Sequence, residues 1–273
     1  MPGSELSSQH LRDRERLTAA VKEAGAIALN FFGGPLKRWT KGEGDSPVTE
    51  ADIAANDLLQ QRLVESGDGW LSEESENDPM RLDARRVWVI DPIDGTRAFI
   101  AGREDWTVSA ALVVDGRPVV AALFAPVTDE LFLATAGGGA MRNDVPILAS
   151  AGGSLDGARV AGPKRVLDWI ALNGPGIVAM PRVHSLALRL ARVAHSGLDA
   201  AVAGGSGHDW DLAAADLLVH EAGGMLTGLD GQMLVYNRPE PVHGVLIAAG
   251  RERHTALADL VRAQTSVPIP KFA

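Results

Sequence analysis

Cysteine is absent from the 273-residue chain. The protein therefore has no disulfide, no thiolate metal site and no cysteine nucleophile, which excludes the thiol phosphatases and thiol proteases. No run of about eighteen apolar residues occurs, so the sequence predicts no membrane-spanning helix. The first ten residues hold no apolar core and precede the charged stretch Leu11–Arg16. We therefore expect no secretory signal and predict a cytoplasmic protein.

Basic residues are scarcer than acidic ones, with 26 Lys and Arg against 35 Asp and Glu and a net charge of −9. This sign disfavours a nucleic-acid backbone or an anionic membrane as the main partner. Hydrophobic residues make up 46% and charged residues 22%, which is typical of a globular chain with a large core and excludes disorder as the main state. At about 150 residues per domain, the length allows one two-lobed unit or two small domains.

Helical and strand-like patterns mix along the chain without a strict βαβ alternation. The spacing of apolar residues predicts helices over Leu17–Phe32, Thr49–Glu65, Ser185–Ala194, Trp210–Ala222 and Glu252–Ala263. It predicts strands over Val87–Ile90, Thr107–Val114, Pro118–Phe124, Glu130–Ala134, Leu198–Val202 and Val242–Ala248. Asp115-Gly116 predicts a hairpin turn. The glycine-rich passage that begins at Gly137 predicts a boundary between an N-terminal α+β lobe, residues 1–145, and a C-terminal α/β lobe, residues 146–273.

The most informative motif is Asp91-Pro-Ile-Asp-Gly-Thr96, which follows the apolar run Val87–Ile90. Asp, Pro and Gly are preferred turn residues, so a purely structural turn is one interpretation. Two acids at the end of a buried strand favour another, because open sheets place ligands at strand ends and packed like charges repel unless a cation lies between them. The spacing is not that of an EF-hand, whose ligands fall at alternate positions.

Three further acidic segments each have a structural interpretation of their own. Glu73-Glu74 is typical of a solvated acidic loop. Asp211 falls in the first turn of a predicted helix, where the helix dipole favours a carboxylate. Thr49 and Asp52 have the spacing of a capping box, with Asp in the place usually held by Glu.

Taken together, the segments resemble the inositol monophosphatase superfamily of magnesium-dependent, lithium-sensitive sugar and nucleotide phosphatases. The resemblance covers nearly the whole chain. It is carried, in family order, by Ser46–Asp52, Ser72–Ser75, Trp88–Thr96 and Trp210–Gly224. It implies a layered αβαβα sandwich with two lobes. It also implies a monomer or a homodimer that acts on a small phosphorylated substrate.

The resemblance implies two to three Mg²⁺ ions per site, and the hard oxygen ligands it assigns are those that Mg²⁺ prefers. The residues that would hold the ions are Glu73, Asp91, Ile93 through its carbonyl, Asp94 and Asp211. The catalytic residues would be Glu73 together with Asp52 and Thr96, of which the last two would orient and deprotonate the attacking water. Asp94 and the backbone N–H groups of Gly95 and Thr96 would contact the substrate.

The substrate is predicted by smaller signals. The Ser-Pro form of Ser46–Asp52 resembles bisphosphate nucleotidases and histidinol-phosphatases. Inositol-type enzymes carry a Glu where this chain has Gly204, and its loss removes a polyol contact and opens space for a base or a second phosphate. Family position makes Arg182 and His184 candidates for contacts with the distal part of the substrate. We therefore expect hydrolysis of adenosine 3′,5′-bisphosphate to AMP.

Other activities remain open from the sequence. Inositol monophosphatase and histidinol-phosphatase activities are the main alternatives, and fructose 1,6-bisphosphatase activity is a weaker one. A non-catalytic relative that senses metal or phosphate is a different class of function. The presence of every proposed ligand and water-activating residue disfavours that class.

Overall fold

The computed structural model describes residues 8–41 and 46–265. Within these ranges lie seven α-helices and one short 3₁₀ helix, Pro79–Leu82. The α-helices are α1 Ser8–Phe31, α2 Glu50–Leu63, α3 Thr96–Ile100, α4 Lys164–Asn173, α5 Leu186–Ala194, α6 Asp209–Glu221 and α7 Arg251–Thr265. No helix of the described part is both long enough and apolar enough to cross a lipid bilayer.

Sixteen strands alternate with the helices in the same part of the chain. The first nine are β1 Arg38–Lys41, β2 Ser46–Thr49, β3 Gly69–Ser72, β4 Arg86–Asp94, β5 Thr107–Val114, β6 Arg117–Ala125, β7 Glu130–Thr135, β8 Gly139–Arg142 and β9 Val145–Ile147. The others are β10 Arg159–Ala161, β11 Val178–Ala179, β12 Ala200–Ala203, β13 Gly207–His208, β14 Gly224–Gly228, β15 Val242–His243 and β16 Leu246–Gly250.

Two sheets organise the molecule. The larger has seven strands in the order β3-β4-β5-β6-β7-β8-β9, and only its β3–β4 pair is parallel. The smaller has five strands in the order β11-β10-β12-β16-β14. The β5–β6 turn confirms the predicted hairpin, because Asp115 and Gly116 both have positive φ, at 49° and 77°.

The side chains of β4 alternate between two cores. Trp88 and Ile90 face α1 and α2, where Trp88 packs in a cluster with Leu17 and Leu59. Val89, on the opposite face, belongs to the core that contains α5 and α6. This alternation follows from the two-residue period of a strand and gives the large sheet a helical layer on each face.

Helices α5 and α6 fill the space between the two sheets, and α6 is apolar around nearly its whole circumference, as a helix with neighbours on all sides must be. Helices α4 and α7 cover the outer face of the small sheet through a separate cluster that includes Ile170 and Leu257. The order of layers is α1/α2, large sheet, α5/α6, small sheet, α4/α7. The structure confirms the predicted αβαβα sandwich. One core contacts both sheets. The division into two lobes near residue 145 stays a prediction.

Several elements differ from the predictions. Helix α1 begins at Ser8 rather than Leu17. Its first turns are charged, but Asp13 is buried and lies 3.1 Å from the Arg86 guanidinium, which ties these turns to the rest of the fold. Helix α4 was not predicted. The strand predicted over Val242–Ala248 is two strands, since β15 pairs with β13 whereas β16 pairs with β12 and β14.

Candidate active site

Two of the predicted ligands are brought together by the parallel pair β3–β4. Ser72 lies opposite Ile90 in this ladder, and the Glu73 N–H continues it by donating to the Ile90 carbonyl at 3.2 Å. Glu73 directly follows β3 and Asp91 is the next residue of β4, so both carboxylates emerge at the same end of this parallel pair. The acidic segment Glu73-Glu74 is therefore part of the site and not only a solvated loop.

The turn after β4 is fixed by its own side chains. The Asp91 carboxylate accepts from the Ile93 N–H at 3.0 Å, and the Thr96 hydroxyl lies 3.0 Å from the Ile93 carbonyl. The pairing with β5 shifts by one residue between Asp91 and Asp94, which is a β-bulge. Gly95 has φ of 97°, and a Cβ there would lie 3.2 Å from the Asp105 carbonyl oxygen. Only glycine meets both conditions at this position.

Helix α6 supplies the third carboxylate. The His208 N–H donates to Asp211 at 2.7 Å, which holds this carboxylate in the first helical turn, as predicted. Oxygen atoms of Glu73, Asp91 and Asp211 all lie within 4.8 Å of one another. Such a group of hard oxygen donors fits a divalent cation such as Mg²⁺.

The acidic cluster is electrostatically strained without a cation. Burial raises the pKa of Glu73 to about 7, with the Glu74 charge as the second cause. Burial and the Glu73 charge raise the pKa of Asp91 well above its usual value. Burial and the Asp94 charge do the same to the pKa of Asp211. A bound cation would relieve both the burial cost and the mutual repulsion.

Asp94 lines the same cavity and also joins two elements of the fold. One of its carboxylate oxygens accepts from the Ser185 hydroxyl at 2.5 Å and the Ala187 N–H at 2.7 Å, and the other accepts from the Leu186 N–H at 3.2 Å. These bonds join the β4 turn to the start of α5 and lower the pKa of Asp94, against the larger effect of burial, which raises it. The assignment of Asp94 as a metal ligand stays a prediction.

Asp52 and Thr96 form the second functional group of the site. The predicted capping box is confirmed, because one Asp52 oxygen accepts from the Thr49 N–H at 2.8 Å and from the Thr49 hydroxyl at 2.5 Å. The other Asp52 oxygen lies 3.3 Å from the Thr96 hydroxyl. Burial raises the pKa of Asp52, which these hydrogen bonds partly oppose.

The cavity at the cluster has a volume of about 190 Å³. It is lined by Pro47, Glu73, Asp91, Asp94, Gly95, Thr96, Arg97, Arg182, His184 and Asp211. The predicted substrate contacts Arg182 and His184 are thus beside the carboxylates. Gly204 is not, and lines an adjoining cavity that shares Arg182 and His184 with the first.

Sequence reasoning missed Lys41. Its ammonium pairs with the Glu74 carboxylate and donates to the Glu73 carbonyl at 2.6 Å, so it holds the end of β3 in place. Ser185, the N-cap of α5, was also missed as the partner of Asp94. No local pattern marks Lys41, whereas the predicted start of α5 at Ser185 gave a signal for the second residue.

Comparisons with known proteins agree with this geometry. Residues 12–266 match the model of the inositol monophosphatase family. An inositol-1-monophosphatase of Rhizobium meliloti is 31% identical over 93% of this chain and 96% of its own length. A histidinol-phosphatase of Chlorobaculum parvum is 37% identical over 48% of this chain and 51% of its own length. The solved structure of the extragenic suppressor protein SuhB from Bartonella henselae superposes with a TM-score of 0.78 at 28% identity, covering 91% of this chain and 97% of that one.

The fold, the carboxylate cluster and these matches define a phosphatase of a family whose enzymes are metal-dependent. The chain belongs to the inositol monophosphatase family.

The raised acid pKa values predict how the stability of the metal-free protein depends on pH. The pKa of Glu73 is about 7 in the folded chain against a usual 4.5, so the folded state binds this proton more tightly than the unfolded state. Stability is therefore lost as the pH rises from about 4.5 to about 7. In chelator, we expect the melting temperature to rise by at least about 3 °C between pH 8 and pH 5.5, relative to the same scan with saturating Mg²⁺. If the melting temperature depends on pH in the same way with and without Mg²⁺, the carboxylates of the cluster do not destabilise the metal-free protein.

Proposed function

We propose that the protein is a Mg²⁺-dependent phosphomonoesterase that hydrolyses adenosine 3′,5′-bisphosphate to AMP and phosphate. The observation that carries the proposal is the meeting of Glu73, Asp91 and Asp211 within 4.8 Å in a cavity that Thr96 also lines. Family membership supports the reaction class. The metal and the substrate are our proposals.

Two Mg²⁺ ions would be held by Glu73, Asp91 and Asp211, with Asp94 and the Ile93 carbonyl as the further ligands that the family resemblance implies. A third, looser ion would share Glu73. When bound, these ions supply Lewis-acid stabilisation of the negative charge on the attacking and leaving oxygens. Without them the acidic cluster would repel a phosphate dianion, so the metal-free protein should bind substrate poorly.

Asp52 and Thr96 would hold and move the proton of the attacking water. The Thr96 hydroxyl has two acceptors, the Ile93 carbonyl at 3.0 Å and the Asp52 carboxylate at 3.3 Å, but only one hydrogen to donate. When that hydrogen points to Asp52, the Thr96 oxygen is free to accept from a water. Burial raises the pKa of Asp52, which makes it a stronger base than an exposed aspartate.

The phosphate would lie against the turn that begins α3. Gly95 has no side chain, so the backbone there could approach the phosphate closely. The N–H groups of Gly95 and Thr96 would donate to phosphate oxygens. We propose direct in-line attack by water without a phosphoenzyme, because the proton-accepting pair is placed to activate water. A covalently labelled enzyme trapped during turnover would contradict this.

The choice of substrate is supported by Gly204 and its surroundings. The position carries no acid to bind a polyol, and it lines a cavity of about 670 Å³ next to the carboxylate cluster. Two relatives support the alternatives by their names, an inositol-1-monophosphatase and a histidinol-phosphatase. Inositol monophosphatase activity is the second candidate, since that relative matches along 93% of this chain.

A substrate panel tests the proposal. Phosphate release from adenosine 3′,5′-bisphosphate, inositol 1-phosphate and histidinol phosphate is measured with Mg²⁺ and with chelator. We expect kcat/KM to be at least about tenfold higher for the bisphosphate, a difference of about 1.4 kcal/mol in transition-state binding, and no release in chelator. Faster turnover of inositol 1-phosphate or histidinol phosphate would overturn the choice of substrate, and equal release in chelator would overturn the metal dependence.

A further inference from the structure

A second cavity opens beside the carboxylate cluster. Its volume is about 670 Å³, and Arg182 and His184 line both cavities. The remaining wall comes from the start of α4, the segment before α5, and two positions that the reaction does not use, Arg189 and Gly204. A substrate whose reacting phosphate lies at the carboxylates can therefore extend into this second space.

Arg189 lies on α5 and lines this cavity. Its Nε atom is buried and has no hydrogen-bond partner. A buried unsatisfied donor costs free energy unless a ligand satisfies it, and the cost is larger for a charged group. Burial lowers the pKa of Arg189, the Asp94 charge opposes this, and the nearby Arg182 charge lowers the pKa by a smaller effect. Two guanidinium groups thus line this cavity, and Asp94, which lines the adjoining cavity, is a carboxylate close to Arg189.

The other charged groups that line this cavity add no net negative charge to it. The Lys164 ammonium pairs with the Asp168 carboxylate at 2.6 Å, and both residues line the cavity, so together they add no net charge. The His184 ring pairs with Asp105 at 2.7 Å. A Cβ at Gly204 would meet only the Pro163 side chain, at 3.7 Å, so the wall there is open and carries no acid.

We propose that this cavity is a subsite for a second phosphate of the substrate, held by Arg189 and Arg182. The inference rests on the proposed function and deepens it, because it assigns the substrate to the class of small bisphosphorylated compounds. Arginine suits the role, since its planar fork of N–H donors matches phosphate oxygens and its charge persists when buried. A phosphate oxygen would also satisfy the buried Arg189 Nε.

The test compares substrates that differ only in the second phosphate. Adenosine 3′,5′-bisphosphate is paired with adenosine 3′-phosphate, and inositol 1,4-bisphosphate with inositol 1-phosphate. The quantity measured is the ratio of kcat/KM within each pair, in which a general loss of activity cancels. We expect the wild-type ratio to be about 10 to 100, and Arg189→Gln to reduce it by at least about tenfold. The matched control is Arg165→Gln, which removes the same charge from an exposed position of α4 and should leave the ratio unchanged.

A second variant keeps the test valid if Arg189→Gln does not fold. Gly204→Glu places a carboxylate in the same cavity, where a Cβ fits, and should also reduce the ratio at least about tenfold by charge repulsion. Dissociation constants for the same pairs are measured by calorimetry with Ca²⁺ in place of Mg²⁺. They give the ratio of the two affinities without turnover.

The outcomes separate the two proposals. If Arg189→Gln reduces the kcat/KM ratio of the inositol pair but not that of the adenosine pair, the result would support the subsite and overturn the adenosine substrate. A wild-type ratio near 1 in both pairs, an unchanged ratio in Arg189→Gln and Gly204→Glu, or an equal fall in Arg165→Gln would overturn the subsite. Adenosine 3′,5′-bisphosphate could be the best substrate while the kcat/KM ratio of the adenosine pair stays the same in Arg189→Gln. That result would overturn only the subsite.

Discussion

Asp91→Asn is expected to lower kcat by at least about a thousandfold while the fold is kept. Asp91 is buried at the centre of the carboxylate cluster, and the proposed metal site depends on its charge. A bound divalent ion supplies several kcal/mol of transition-state charge stabilisation, and about 4 kcal/mol corresponds to a thousandfold in rate. The Asn side-chain oxygen can still accept from the Ile93 N–H, so the turn after β4 should persist.

The same substitution should raise the stability of the metal-free protein. Asp91→Asn removes one of three mutually repelling carboxylates, so its melting temperature in chelator should exceed that of the wild type, and Mg²⁺ should no longer raise it. Phosphate release and thermal unfolding with and without Mg²⁺ are the measurements. Asp115→Asn, the same change at an exposed hairpin turn that tolerates Asn, is the control and should alter neither. A variant that retains more than about a tenth of wild-type kcat would contradict the role of Asp91.

Asp52→Asn is expected to lower kcat by about 100- to 10,000-fold, the usual contribution of a general base. The amide oxygen can keep the capping bonds to Thr49, because one Asp52 oxygen accepts both. The amide nitrogen would then face the Thr96 hydroxyl and donate to it. Thr96 would donate to the Ile93 carbonyl and have no acceptor to which it can pass a proton.

This effect should appear in kcat rather than in KM, since the pair acts on the proton and not on the substrate. Steady-state kinetics at saturating Mg²⁺ and a thermal scan are sufficient. Asp57→Asn lies on the same helix at an exposed position and serves as the matched control. If Asp52→Asn lost activity only by raising KM, or melted at a much lower temperature than the control, Asp52 would be a structural cap alone.

Local chemistry in the sequence predicted a large part of this architecture. The Asp115-Gly116 turn and the Thr49–Asp52 cap depend on neighbours in the chain, and both are confirmed. Motif resemblance predicted that Glu73, Asp91 and Asp211 meet, although they come from the residue after β3, from β4 and from α6. No local rule links residues so far apart, because the β3–β4 register and the position of α6 between the sheets bring them together.

The features that escaped prediction depend on tertiary partners. Lys41 is defined by its contacts with Glu73 and Glu74, which directly follow β3. The hydrogen bonds of Asp94 to the start of α5 were also not predicted, whereas its role as a metal ligand stays a prediction. The sequence pattern predicts one strand over Val242–Ala248, but its two ends pair with different strands. Packing between elements decides each outcome, and the periodicity of apolar residues in the sequence gives no information about that packing.

Anomalous scattering from crystals grown with Mn²⁺ tests the central claim most directly, since Mn²⁺ is a hard divalent ion that oxygen ligands also bind. We predict a peak in the anomalous difference map within coordination distance, about 2.0–2.6 Å, of carboxylate oxygens from Glu73, Asp91 and Asp211. A map with no peak among these three side chains, at Mn²⁺ concentrations that support turnover, would contradict the proposed metal site.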